Sequence, residues 1–292
     1  MEAVRSLGYE PNEVARSLRG GRTNLIGVIF PQIVNPYFSR CVQQIELETT
    51  RFGASVILLT HQEDPVKQSR QLEVLRRSQC DGVILTAAPN SDPVKLKREL
   101  GTMPVVALDR PIWDDGDVVM LQHRQAAREA TLHLLEHGIK EIACATTDPN
   151  IYSFQERILG YEEVMRQAGQ KSHVIVAGDY GALQDAVHAS LLEPPRLGGL
   201  IALSNMATVS AMLAIREIHQ IQPPKVALIG FDDVDLAILV EPAITVMVQP
   251  VDRMARETVN LLFRLIGSGR DLPPQRIMPE AELIRRNSCG CL

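Results

Sequence analysis

The sequence predicts an α/β protein made of two open lobes, each a parallel sheet flanked by helices, with a ligand cleft where the lobes meet. Three observations carry this. The 292 residues fit two domains at roughly 100 to 200 residues each, or one large α/β unit. Short β-branched runs alternate with amphipathic stretches, and the alternation comes in two successive series. The composition is 45% hydrophobic with only 6 Phe, 5 Tyr and 1 Trp, so aliphatic side chains must fill the interior.

The first series has strand-like runs at Leu25 to Phe30, Ala54 to Thr60, Gly82 to Thr86 and Val105 to Leu108. Helix-like segments at Tyr37 to Phe52, Pro65 to Ser78 and Pro93 to Leu100 lie between them, with apolar residues near a 3.6 period. The second series reads helix Arg124 to His137, strand Glu141 to Thr146, helix Gln155 to Ala168, strand His173 to Ala177 and helix Leu183 to Leu191. Strand Gly199 to Leu203, helix Met206 to Gln220 and strand Lys225 to Gly230 follow. The tail adds strand Ile244 to Val248, helix Val251 to Gly267, and short strands near Arg276 to Met278 and Ala281 to Arg285. Ligands of such sheets bind beyond the carboxyl ends of the strands, so the loops after each run are where function is sought.

The formal charge of −5 excludes nucleic-acid binding by the whole surface, because phosphate contacts need clustered Lys and Arg. No segment reaches the ~18 consecutive apolar residues of a membrane span, and Met1 to Arg22 lacks the apolar stretch of a secretory leader. A cytoplasmic protein with no membrane partner is expected. Cys41, Cys80, Cys144, Cys289 and Cys291 form no zinc pattern, and a single C-x-C is weak. His133 and His137 stand four apart, but with no carboxylate or Cys in their segment they read as solvated helix residues. No G-x-G-x-x-G, P-loop, G-x-S-x-G or H-E-x-x-H occurs. No catalytic residue, no cofactor and no resident metal is therefore expected, and an enzyme is not.

The first 23 residues stand outside the alternation. Val4, Leu7 and Tyr9 look like the end of a helix, and Pro11 to Arg22 forms one short helix, capped by Asn12 and ended by Gly20-Gly21. Its segment carries four arginines, Arg5, Arg16, Arg19 and Arg22, against Glu2, Glu10 and Glu13, so any DNA contact is local to it.

Gly8-Tyr9-Glu10-Pro11-Asn12-Glu13-Val14-Ala15-Arg16-Ser17-Leu18-Arg19, followed by Thr23 to Phe30, resembles the hinge segment of LacI/GalR-family transcription regulators. Asn35-Pro36-Tyr37-Phe38, Cys80-Asp81-Gly82-Val83-Ile84, Pro104 to Pro111, Glu156 to Tyr161, Val226 to Asp233, Pro250-Val251 and Asn287-Ser288-Cys289 continue in family order. The resemblance implies two Rossmann-like lobes with three crossovers, like those of periplasmic binding proteins. It divides the chain into 1–23 (headpiece end and hinge), 24–121 with 250–277 (first lobe), and 122–249 with 278–292 (second lobe). The headpiece that reads the major groove in that family has no counterpart here, so this chain alone is expected to bind operator DNA poorly.

By the same resemblance, Leu18 wedges into the minor groove, and Asn12, Ala15, Arg16, Arg19 and Arg22 complete the DNA-contacting set. Arg157 and Asp232 match positions that bind the effector, and Gln249 a glutamine near the cleft. Phe231 packs under the ligand or in the core. Tyr37 and Phe38 offer an aromatic wall or pack at a helix start. Asp109 and Arg110 line the cleft or pair with each other. Ser204-Asn205 replaces the family's Asn-Asp, and Gln122-His123 its Asp-Asn. With Arg157, Arg110 and His123 or His61 near the cleft mouth, the charge favours an anionic effector among sugars, sugar acids and sugar phosphates; Trp113 caps the cleft or packs. The implied partners are this effector, operator DNA and a second copy in a C2 dimer, with its interface near Arg70 to Arg77 and Val251 to Leu265. The alternative is a periplasmic-type sugar-binding protein without a DNA role.

Overall fold

A computed structural model of the chain describes residues 22–219, 226–268 and 273–291. Its first lobe runs β1 Leu25–Phe30, α1 Pro36–Thr50, β2 Ser55–Thr60, α2 Pro65–Arg77, β3 Gly82–Leu85, α3 Pro93–Leu100, β4 Val105–Leu108 and β5 Val118–Val119. The second runs α4 His123–Glu136, β6 Ile142–Thr146, α5 Tyr152–Gln167, β7 His173–Val176, α6 Tyr180–Leu192, β8 Gly199–Ala202, α7 Asn205–His219, β9 Ala227–Phe231 and β10 Thr245–Val248. Then come α8 Val251–Ser268, β11 Arg276–Ile277 and β12 Glu282–Ile284.

Local sequence explains why the first lobe's helices start where they do. Asn35-Pro36, Asp64-Pro65 and Asp92-Pro93 each place a side-chain acceptor before a proline at the first helical turn. Their oxygens take the N–H of Tyr37, Val66 and Val94 at 2.9, 2.7 and 2.9 Å. Proline loses nothing there, since that N–H has no helical partner. All three helices therefore begin at the carboxyl ends of the strands, which aims their starts at the cleft.

Two six-stranded sheets result, in the order β11-β5-β4-β3-β1-β2 and β12-β10-β9-β8-β6-β7. All pairings are parallel except β10 with β12, an antiparallel edge that the expectation of parallel sheets did not include. Aliphatic residues fill both faces of each sheet, among them Ile26, Val28, Ile84 and Leu262 in the first lobe and Leu200, Leu228 and Val246 in the second. Helices α4 and α5 pack so closely that a Cβ at Gly160 would collide with the Arg124 carbonyl. Helix α8 returns its apolar stripe, Val251, Met254, Ala255, Val259 and Leu262, to the first lobe's core.

The elements expected from Leu25 onward all appear, with shifted ends; the short helix expected at Pro11 to Arg22 lies outside the described residues but for Arg22. Strand β5 has only two residues, too few to show a period. Helices α5 and α6 each begin three residues earlier than their apolar pattern, at Tyr152 and Tyr180, and Asp235–Ile238 adds a 3-10 turn. The chain passes between the sheets after β5, after β10 and after β11. The first and last passages lie side by side: Met120 and Gln122 N–H groups donate to the carbonyls of Ile277 and Pro279, each at 3.0 Å. The Gln122 Nε2 donates to the Met278 carbonyl at 2.9 Å.

Candidate functional site

The two sheets deliver a carboxylate each to the same place. Asp109 follows β4 and Asp232 follows β9 directly, and both adopt left-handed backbone, φ 70° and φ 66°, which Asp tolerates better than branched residues. This turn lifts each side chain off its sheet and into the space between the lobes. Asp232 Oδ1 accepts from Gln249 Nε2 at 2.7 Å. Asp233 is occupied elsewhere, in a two-pronged pair with Arg286 at 2.9 and 2.7 Å, which leaves Asp232 to face the cleft.

Arg157, one and a half turns into α5, is buried at 2% exposure. Its Nη1 donates to the Leu203 carbonyl at 2.6 Å, its Nη2 to His123 Nδ1 at 3.2 Å, and its guanidinium lies 4.0 Å over the Phe231 ring. Phe231 thus serves the core and forms a floor under the arginine. Burial lowers the Arg157 pKa, opposed by Asp232 and Asp109. Burial likewise raises that of Asp232, opposed by Arg157 and by the Gln249 bond. His123 Nε2 lies 3.1 Å from the Asp109 carbonyl, so with Nδ1 accepting from Arg157 the ring is neutral with its proton on Nε2. Burial first, then the Arg157 charge, brings the His123 pKa down to about 4.

Opposite them stands the first lobe. Arg110 is held by Glu63 at 2.7 and 2.8 Å and by the Ala87 carbonyl at 3.0 Å, and its Nε lies 3.4 Å from Asp109 Oδ2. Arg110 and Asp109 therefore both pair and line the cleft. His61 is fully buried, with Nε2 donating to the Thr86 carbonyl at 2.8 Å and Nδ1 accepting from Glu63 N–H at 3.0 Å. It braces the Glu63 turn, and it carries no charge toward a ligand. Tyr37 and Phe38 are both buried, their rings 5.0 Å apart, and Phe38 packs against Phe30 in a tilted pair with centroids 5.2 Å apart. Phe38 thus packs at the helix start, and the Tyr37 hydroxyl is buried beside Cys41. Ser204 Oγ caps α7 through the Ala207 N–H at 3.1 Å.

Four buried side-chain atoms near these groups have neither a hydrogen-bond nor an ion-pair partner among the described residues: Tyr37 OH, Arg157 Nε, Asn205 Oδ1 and Gln249 Oε1; a fifth without a hydrogen bond, Arg110 Nε, has its ion pair with Asp109. Buried polar atoms are ordinarily bonded. Donors and acceptors waiting on both walls, beside two carboxylates, suit a ligand whose neighbouring hydroxyls donate and accept in turn. Arg110 and His123 stand near the cleft as expected, whereas Asn35 and Glu63 belong to this constellation but were not among the expected contacts. The signal for Asn35 and Glu63 was their place just after β1 and β2. Trp113 lies apart, in a groove with Lys97, Leu100, Met103 and Leu265, so it packs away from the cleft. Asn12, Ala15, Arg16, Leu18 and Arg19 lie outside the described residues; Arg22 donates to the Ile266 carbonyl at 2.9 Å.

Comparison with known proteins agrees with this layout. The sequence profile described as "Periplasmic binding proteins and sugar binding domain of LacI family" matches residues 23–284. A ribose operon repressor of Halalkalibacterium halodurans is 30% identical over 268 residues, 91% of this chain and 80% of that one. The ribose operon repressor of Escherichia coli K12 is 28% identical over 98% of this chain and 88% of its own. A solved complex of the transcriptional regulator CelR with cellobiose superposes with a TM-score of 0.81 at 25% identity, covering 98% of this chain and 88% of that one. The chain belongs to the LacI family of transcriptional regulators, whose effector-binding core it carries across both lobes.

Proposed function

We propose that this chain binds a neutral sugar between its lobes and, as a homodimer, couples that binding to operator DNA, acting as a repressor. The convergence of Asp109, Asp232 and Arg157 with four unpartnered polar atoms in one inter-lobe space carries the reading. Charge supports a neutral ligand over the anionic one suggested by sequence: Arg157 and Arg110 already face three carboxylates, Asp109, Asp232 and Glu63, while His123 and His61 are uncharged. Relatives named for ribose repression, and CelR with its cellobiose, support a sugar. Relatives that are regulators, not periplasmic receptors, support the DNA role, which falls to the segment 1–23. The lobes correspond to 24–121 with 250–277 and 122–249 with 278–292, in keeping with the strands each sheet recruits. Among the described residues no helix is long and apolar enough to cross a membrane, and a cytoplasmic setting suits a DNA partner.

The dimer reading rests on exposed apolar side chains on both lobes: Val66, Val74 and Val94 on α2 and α3, and Leu236, Ile238 and Leu239 beside the second sheet. Helix α8 contributes less than its sequence suggested. Its exposed face is Asp252, Arg253, Arg256 and Asn260, because its apolar stripe is in the core. Effector binding shifts such a switch by its differential affinity for two lobe arrangements, typically ~1 to 3 kcal/mol.

Thermal-shift screening against pentoses, hexoses, disaccharides, sugar acids and sugar phosphates tests the proposal. A neutral sugar should raise the melting midpoint with concentration, and Arg157→Ala should abolish the response. A response to sugar phosphates alone, or an unaltered response in the variant, overturns it.

A further inference from the structure

The far end of α4 from the cleft holds a group of side chains that the sugar site does not use. His133 and His137 lie one turn apart near the end of α4, their rings 4.5 Å from each other. The C-terminal tail brings Cys289 and Cys291 to the same spot. Cys291 Sγ is 3.1 Å from Cys289 Sγ, 3.5 Å from His133 Nε2 and 3.3 Å from His137 Nε2. The ligand atoms of His133, Cys289 and Cys291 all lie within 4.8 Å of one another.

We propose that these four residues form a Cys2His2 site for a zinc-type divalent ion. The edges around Cys291 suit it, while His137 stands outside the set mutually within 4.8 Å and closes the tetrahedron by swinging its exposed ring inward. Bonds of about 2.3 Å to sulfur and about 2.0 Å to nitrogen in tetrahedral geometry imply S to N edges of about 3.6 Å and an S to S edge of about 3.8 Å. The two S to N separations from Cys291 already match within a few tenths of an ångström, and the sulfurs need to part by less than one.

The surroundings orient the ligands as a metal requires. His137 Nδ1 donates to the His133 carbonyl at 2.8 Å, which leaves Nε2 as the acceptor that faces Cys291. The Thr245 hydroxyl lies 3.1 Å from Cys289 Sγ, placed to donate to a thiolate. The tail itself is anchored: Ser288 Oγ donates to the Leu228 carbonyl at 2.6 Å and accepts from Thr245 N–H at 2.8 Å. Cys289 is buried, Cys291 half-buried and His137 exposed, so an ion can enter from solvent. Two thiolates and two neutral imidazoles make an electrically balanced, fully protein-ligated site for zinc, the closed type that staples a fold together. Here it fastens the C-terminal tail to the helix whose other end places His123 in the cleft.

The test uses the reduced full-length chain. Zinc titrated against a chromogenic chelator should bind one ion per chain, and added zinc should raise the melting midpoint. Cobalt(II) in its place should show intense tetrahedral bands and a thiolate-to-cobalt absorption. His137→Ala, at an exposed position, and Cys291→Ser should each weaken uptake by more than about 100-fold, beyond the scale of outer-shell changes, while Cys80→Ser on the other lobe keeps it. No stoichiometric uptake, uptake unchanged in both variants, or a cobalt spectrum without the thiolate band overturns the proposal. A Cys289–Cys291 disulfide that forms in preference to the zinc complex does so too.

Discussion

Asn205 Nδ2, at the start of α7, donates across the gap between the lobes to Asn35 Oδ1 at 2.9 Å. Asn35 Oδ1 also caps α1, so the acceptor stays in place whether or not the lobes are closed, and the bond acts as a reversible latch. A neutral hydrogen bond contributes about 1 kcal/mol net. Asn205→Ala should thus shift the ligand-free equilibrium about fivefold toward open lobes, seen as a larger radius of gyration in small-angle scattering. An unchanged scattering profile would show that the latch has no such role.

His123 makes stability fall in mild acid. Its folded pKa of about 4 lies below the ~6.5 of an unfolded chain, so between these values the unfolded state binds the extra proton. The native state's advantage is intact above pH 6.5 and is lost progressively as pH falls toward 4, by roughly 3 kcal/mol in total. Urea denaturation of the native chain and His123→Gln across this window checks it: the variant's stability should depend less steeply on pH.

Asp232 trades stability for binding. Its raised pKa means that the ionised form is disfavoured in the fold, so Asp232→Asn should raise the unfolding midpoint at pH 7. Asn can still accept from Gln249. Sugar affinity should fall about 10- to 100-fold with the loss of a charge-assisted acceptor. A variant of lower stability with intact affinity would reverse this assignment.

Gly160→Ala should cost about 1 to 3 kcal/mol by forcing α5 away from the Arg124 carbonyl. The damage should reach the ligand as well, because α4 carries His123 and α5 carries Arg157. Chemical denaturation and sugar titration together should show both losses; a loss of stability alone would mean that the helices yield elsewhere.

Much of the fold could be read from sequence because the signals were local: an Asx-Pro pair opens each of α1, α2 and α3, and β-branched runs mark the central strands. Strand β5 escaped because two residues cannot display a period. At the site, the resemblance brought forward Arg157, Asp232 and Gln249 as single positions. What it could not supply was the pairing of Arg157 with His123, 34 positions away, or of Arg110 with Glu63, 47 away. Those pairings set the charge a ligand meets. The separation between Cys291 and His137, 154 positions, hides their meeting entirely, since metal motifs are recognised by short spacing.

The side-by-side passages at Met120 to Gln122 and Ile277 to Pro279 have a mechanical consequence. Two chains joined by hydrogen bonds bend together about an axis across them, but neither can lengthen or slide without tearing the other loose. Lobe movement is thereby reduced toward a single angular coordinate. An insertion of one residue in either passage would jam this joint unless the other passage grew to match, so the two behave as one inherited part despite lying more than half the sequence apart.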